Sequence, residues 1–396
     1  MIRAKGKHIL KSGLCTGCGL CSVIDPSVDI IEKEGLLQPL SLPKSIDIDF
    51  FCPGIGYNLK QMGAELFPDT SYRYELGFYK QLLALRSQSV NTLRHASSGG
   101  AITEICKYVL EKQLADGIIC TKYDYSDESV RPVSYIAYNI DELMQSQGSK
   151  YCPTSTLIVL KEVMQNPDKK YILIGTPCQI AGYRKYSSTH ASLRNQIVLC
   201  ISNFCGGYRD FRELDFYIHR IAGFKKATFF RHRGGGQPGG MKIISETGEE
   251  FSAPYPEYAK LSRYVKVERC SLCMDAVAEL ADISCGDAWL DDLKKDGPWS
   301  IAITRSLIAQ SIVENMISEK RLCIKKELSE EEVILSQKSN LTSKKYKQYY
   351  RILLRSLLFK ASPDWHDDFP IKQGSLLAEI KIFFSKEKAK RNVPKQ

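Results

Sequence analysis

Three cysteines fall within seven residues, Cys15-Thr-Gly-Cys18-Gly-Leu-Cys21. No other stretch restricts the local fold as tightly. Thiols at this spacing need a tight, corner-rich loop whose sulfurs face one centre. The chain holds 14 cysteines in 396 residues, too dilute for a disulfide scaffold. No apolar h-region precedes Cys15, so an export signal is not expected and the expected location is cytoplasmic. In a reducing compartment, clustered cysteines read as metal ligands or catalysts before disulfides. No run of eighteen apolar residues occurs, so no transmembrane helix is expected.

Zinc sites more often use separated C-x2-C pairs. Bacterial ferredoxins instead carry C-x2-C-x2-C-x3-C-P, the fourth cysteine binding the other cluster. Here that fourth position is Asp25, still followed by Pro26. Further on, Cys52-Pro53 stands alone, and its three upstream partner positions hold Leu42, Ser45 and Ile48. One ligand set is therefore complete, Cys15, Cys18, Cys21 and Cys52, while the other is absent throughout. A two-cluster ferredoxin module that kept one [4Fe–4S] cluster leaves this pattern. A structural zinc site is the competing reading.

The length suits two or three domains. Residues 1–70 are punctuated by Cys, Gly and Pro and read as a small iron–sulfur module. Residues 71–160 and 161–330 read as the two parts of one body. Leu82–Arg86, Gly117–Thr121, Tyr135–Tyr138, Tyr171–Ile174 and Ile197–Ser202 are strand-like, and Ala101–Glu111 and Leu157–Met164 are helical. The expected fold class is α/β (α+β): a ferredoxin-like module on a mixed-sheet body, with a helical tail over 331–396. Arg233–Gly240, with five glycines around Gln237-Pro238, reads as a loop.

Cys270-Ser-Leu-Cys273 is half of a second site. Cys178, in Gly175-Thr-Pro-Cys-Gln, and Cys205, in Asn203-Phe-Cys-Gly-Gly, each follow an apolar run. Strand C-termini are where α/β proteins place their sites. Four thiolates meeting there would suit a second cluster.

Taken together, Cys15–Cys21, Ala96-Ser-Ser-Gly-Gly-Ala101, Gly148-Ser-Lys-Tyr151, Gly175–Gly182, Phe204-Cys-Gly206, Arg269–Cys273 and Ala278–Trp289 resemble the coenzyme F420 hydrogenase/dehydrogenase β-subunit family, which includes a plant hydroxymethyl-chlorophyll reductase. The resemblance covers roughly residues 10–310. It implies two [4Fe–4S] clusters and FAD, with Cys178, Cys205, Cys270 and Cys273 holding the second cluster. It implies electron passage between a one-electron carrier such as ferredoxin, the clusters and FAD. Hydride then goes to or from a small-molecule or deazaflavin substrate. Cys285 competes for a ligand role, Cys152 lines the flavin pocket or binds, and Cys106, Cys120, Cys200 and Cys323 read as core.

For the flavin, Ser97, Ser98, Gly99 and Gly100 precede a helix. By themselves they read as a helix cap or as a phosphate cradle, and the resemblance selects the cradle. Gly148, Ser149, Lys150 and Tyr151 supply a second small-residue turn with one cation, and Asp287 lies in a matching motif. No GxGxxG is present. His95, Lys150 and His232 are the catalytic candidates. Arg231-His232-Arg233 is expected on a flexible loop, as a lid for an anionic substrate or as a solvated turn.

Charge is uneven. The last 59 residues carry fourteen Lys/Arg against five Asp/Glu, leaving 41 against 40 for the first 337. The near-neutral body excludes nucleic-acid binding as its main role. Lys344–Lys360 and Leu376–Arg391 are basic amphipathic stretches, suited to an anionic membrane surface, to an acidic carrier, or to packing on the body. The competing functions are a non-catalytic electron-transfer subunit and a zinc-stabilised binding module. A surface-polysaccharide setting, with a sugar or lipid-linked substrate, is a further expectation.

Overall fold

The computed structural model describes residues 2–43, 48–262, 266–366 and 369–391. Its centre is a mixed sheet of eight strands: β1 Gln81–Ser87, β2 Gly117–Asp124, β3 Arg131–Ala137, β4 Tyr171–Gly175, β5 Ile197–Asn203, β6 Ile283–Asp287, β7 Ser300–Thr304 and β8 Leu322–Glu327. The spatial order is β8-β1-β7-β6-β5-β4-β2-β3. The four inner strands β6, β5, β4 and β2 run parallel, and antiparallel strands close both edges. All five strands expected from the sequence are present.

Period-two alternation explains why the sheet is covered on both faces. Ile118, Ile172, Leu199 and Ile201 point to one side, against Ile105 and Val109 of helix α1 (Ala101–Glu111). Val313 and Met316 of helix Leu307–Ser318 join them. Ile119, Leu173 and Cys200 point to the other side, against Ile180 and Tyr183 of α2 (Pro177–Ser187). Leu14, Leu20, Ile55 and Tyr57 pack into that second core, so the cysteine-rich N-terminal segment sits on the α2 face.

A three-stranded antiparallel sheet, Ala227–Gly234, Gly240–Ser245 and Glu250–Pro254, flanks the body. Arg231, His232 and Arg233 therefore lie in a strand, and only 235–239 turn. This corrects the expected flexible loop. Register shifts on both sides of Phe229–Arg231 break the alternation that would have revealed the strand.

The tail forms helix α3 (Gln348–Leu357) and helix α4 (Leu376–Arg391). Three cations of its first stretch point inward. Lys344 and Lys345 are buried, and buried Arg355 donates to the carbonyls of Ser12 and Ala361. Of the three readings of Lys344–Lys360, packing on the body accounts for these cations. Leu357, Leu358 and Phe359 remain exposed. Among the described residues no helix is long and apolar enough to cross a membrane.

Candidate functional site

The carboxyl ends of β4, β5 and β6, with the loop after β1 and the start of β7, open onto one cavity of about 320 Å³. This is where an open parallel sheet places ligands. Ser97, Ser98, Gly100, Gly148, Ser149, Lys150, Tyr151 and Asp287 line it, as do Ala101–Thr103 at the start of α1 and Thr176 at the start of α2. The structure thus brings the expected flavin motifs together.

Their roles differ in detail. Ser97 Oγ donates to the Arg233 carbonyl at 2.9 Å, and Ser98 Oγ to the Trp299 carbonyl at 2.8 Å. Both hydroxyl protons are committed, so the donors left for an anion are the backbone N–H groups opening α1. Gly99 is a contact requirement: a Cβ there would stand 2.5 Å from the Leu85 carbonyl and 2.6 Å from the Ser300 nitrogen. Asp287 is held by Arg233, which also donates to the Ser97 carbonyl.

Lys150 donates to the carbonyls of Ser146 at 2.8 Å and Gly148 at 3.1 Å. Desolvation pulls its pKa down to about 8. His232 does not line the cavity. It is enclosed by Tyr123, Tyr151, Tyr217 and Phe230, with Nδ1 2.7 Å from the Tyr123 hydroxyl. Burial, with Lys150 and Arg209 nearby, drives its pKa down to about 3, so it is neutral.

A second cavity of about 940 Å³ shares the wall Gln147–Lys150 with the first. Sequence reasoning missed it. Its lining mixes aromatic residues, Tyr123, Tyr125, Phe229 and Phe230, with Lys122, Arg231 and His95, and with Asp124 and Asp141. Among the described residues the buried Arg231 Nε has no hydrogen-bond partner. The Arg231 side chain lies over the glycine turn, where a Cβ on Gly234 would meet its Cδ at 2.8 Å.

The cysteines fall into two groups. Burial pushes the Cys15 thiol up to about 12 and Cys52 to about 11, and the thiols of this first set reinforce one another. Burial also raises Cys178, and lifts Cys270 to about 11, with Cys205 and Cys273 facing both. The Gly17 N–H donates to Cys15 Sγ at 3.4 Å, and the Gly207 N–H to Cys205 Sγ at 3.3 Å. Gly207 has φ +100°, and a Cβ on it would come within 2.9 Å of Cys270 Cβ, so only glycine lets these loops approach. Among the described residues no group of three or more His, Cys, Asp or Glu is arranged around a single ion. Within each set the thiols lie close enough to raise one another's pKa. That donor chemistry, four buried or half-buried thiols with a backbone N–H aimed at a sulfur, fits an iron–sulfur cluster.

Tyr208 stands between the sets. Burial raises its pKa, and Cys270, Cys178, Cys15 and Cys205 all face it. Its hydroxyl donates to the Thr16 carbonyl at 3.1 Å. Arg269 donates to the Pro53 carbonyl at 2.8 Å, tying the second loop to the first. Their positions, directly after Cys205-Gly-Gly and directly before Cys270, were the available sequence signal. Cys205 also lines the first cavity. Cys152 is buried and lines that cavity, with Sγ 3.6 Å from the Tyr123 hydroxyl; Cys285 is buried in the sheet core and also reaches its wall.

Known proteins resemble this chain. At 29% identity over 308 residues, the chain is similar to the coenzyme F420-dependent sulfite reductase of Methanocaldococcus jannaschii, covering 72% of this chain and 44% of that protein. It is 26% identical to the coenzyme F420 hydrogenase subunit beta of Methanothermobacter thermautotrophicus, over 61% of this chain and 83% of that subunit. The chain therefore spans under half of the first relative and most of the second. A chain of the F420-reducing [NiFe] hydrogenase complex from Methanosarcina barkeri shares the fold, with TM-score 0.56 and 18% identity over 74% of this chain and 98% of that one. Residues 82–161 match the N-terminal region, and residues 168–330 the C-terminal region, of the coenzyme F420 hydrogenase/dehydrogenase beta subunit. The chain belongs to the coenzyme F420 hydrogenase/dehydrogenase beta-subunit family.

Proposed function

We propose that this chain is an iron–sulfur flavoprotein oxidoreductase. It would link a one-electron carrier, such as ferredoxin, to an organic substrate or a deazaflavin. The observation that carries the reading is the line Cys15/Cys18/Cys21/Cys52, Tyr208, Cys178/Cys205/Cys270/Cys273, cavity. The names of the relatives supply the deazaflavin as a candidate substrate.

When bound, two [4Fe–4S] clusters supply single-electron transfer and FAD supplies hydride exchange. The chain's own residues do the rest. Tyr208 and Arg269 hold the two cysteine loops together. The N–H groups of Gly17 and Gly207 stabilise thiolate charge. The start of α1 offers N–H groups to a pyrophosphate. Lys150, in the wall between the cavities, holds or releases a proton at Nζ near pH 8. Arg231 and the aromatic walls of the larger cavity suit a planar substrate with an anionic group. Anaerobic purification followed by iron, sulfide and flavin analysis tests the reading. Zinc in place of iron would refute it.

A second reading is favoured by one observation: the relatives include proteins named as subunits. On it, the chain relays electrons to a partner enzyme. It would then accept electrons from a chemical reductant but turn over no substrate alone.

A further inference from the structure

The family match ends at residue 330, yet the tail beyond it reaches the second cysteine set. The turn Thr342–Tyr346 carries Lys344 inward. Its Nζ lies 3.4 Å from Cys273 Sγ and 2.8 Å from the Asp275 carbonyl, and the residue is 3% exposed. Other tail side chains fix this placement. Gln348 Nε2 donates to the carbonyls of Ser271 and Cys273 at 3.0 and 2.9 Å. Arg351 donates to the Ser271 carbonyl at 3.0 Å, and Trp365 Nε1 to that of Leu272 at 3.0 Å. The tail thereby holds every carbonyl from Ser271 to Cys273.

The two neighbouring lysines are used differently. Lys345 pairs with the buried Glu279 carboxylate at 2.7 Å. Among the described residues Lys344 forms no ion pair with a carboxylate, and its charge faces Cys273, Cys205 and Cys270 first and the Asp275 side chain after them. A buried cation at a cysteine sulfur acts through a low local dielectric and is poorly screened by salt.

We propose that Lys344 is a positioning residue that raises the reduction potential of the cluster held by Cys178, Cys205, Cys270 and Cys273. The proposal rests on the cluster reading above. One electron from the one-electron carrier adds one negative charge to the cluster, with no bond made or broken. A fixed positive charge beside Cys273 favours that reduced state. The tail thereby sets the potential of the cavity-side cluster.

The test is a redox titration of the anaerobically purified full chain, followed by electron paramagnetic resonance. The variants are Lys344→Gln, which keeps a donor for the Asp275 carbonyl without the charge, and Lys344→Arg. At the potential where the wild-type second cluster is half reduced, Lys344→Gln should show about tenfold less reduced cluster relative to oxidised, a shift of about 59 mV for one electron. Lys344→Arg should stay near wild type, and the first cluster should not move. Full iron content with an unmoved midpoint in Lys344→Gln overturns the proposal. So does loss of iron from that variant, which would make the lysine a purely structural clamp. Absence of iron from the wild type would instead overturn the cluster reading itself.

Discussion

Arg233 and Asp287 meet in a two-point ion pair, with each guanidinium Nη 2.6 Å from its own carboxylate oxygen. The pair joins the three-stranded sheet to the end of β6. Arg233 also donates to the Ser97 carbonyl, so three segments of the cavity wall meet at one guanidinium. Both side chains are mostly buried, 8% and 17% exposed. Removing one partner strands a charge and costs about 3–5 kcal/mol. Asp287→Ala should therefore lower the chemical-denaturation midpoint and reduce bound flavin together. Arg233→Lys should not restore the two-point geometry.

Gly99 tests the cavity more locally. Its absent side chain leaves the β1 carbonyl of Leu85 and the β7 nitrogen of Ser300 in contact range. Gly99→Ala should cost about 1–3 kcal/mol through displaced backbone. It should also cut flavin content, measured by absorbance after anaerobic purification. Unchanged flavin would remove the Ser97–Gly100 turn from the binding site.

His232 gives a pH prediction. Its pKa falls from an ordinary 6.5 to about 3 on folding, because burial and nearby Lys150 and Arg209 oppose the imidazolium. Between those values the unfolded chain binds the extra proton. The stabilising contribution is thus complete above pH 6.5 and is lost as pH falls toward 3. His232→Gln, which can still accept from the Tyr123 hydroxyl, should flatten the fall of stability across that window. Thermal melts at pH 7 and pH 4.5 would show it, and an unchanged slope would contradict it.

Much of the fold and site was legible because its signals are local. Ile118 and Ile119, or Ile172 and Leu173, alternate faces, so β2 and β4 could be read without any partner. The two cysteine sets announce themselves by spacing or by position at strand ends. What was not legible depends on distant residues. The strand holding Arg231–Arg233 is bulged, so its period is broken, and Arg233 is explained by Asp287, 54 residues on, and by the Ser97 carbonyl. Lys344 reads in the sequence as one cation of a basic amphipathic stretch; its setting beside Cys273 comes from chain 71 residues earlier. The larger cavity joins the Gly148–Lys150 turn and Arg231 to Tyr123, Tyr125, Phe229 and Phe230, aromatic residues that carry no motif of their own.

The central claim is that two independent cysteine sets each hold an iron–sulfur cluster. Iron and sulfide should be counted in the anaerobically purified wild type and in Cys52→Ser. The wild type should carry about eight iron per chain, two four-iron clusters. Cys52→Ser should keep about half, with the second cluster's signal intact. Zinc or no iron in the wild type would contradict the account, as would a Cys52→Ser protein that keeps its full iron.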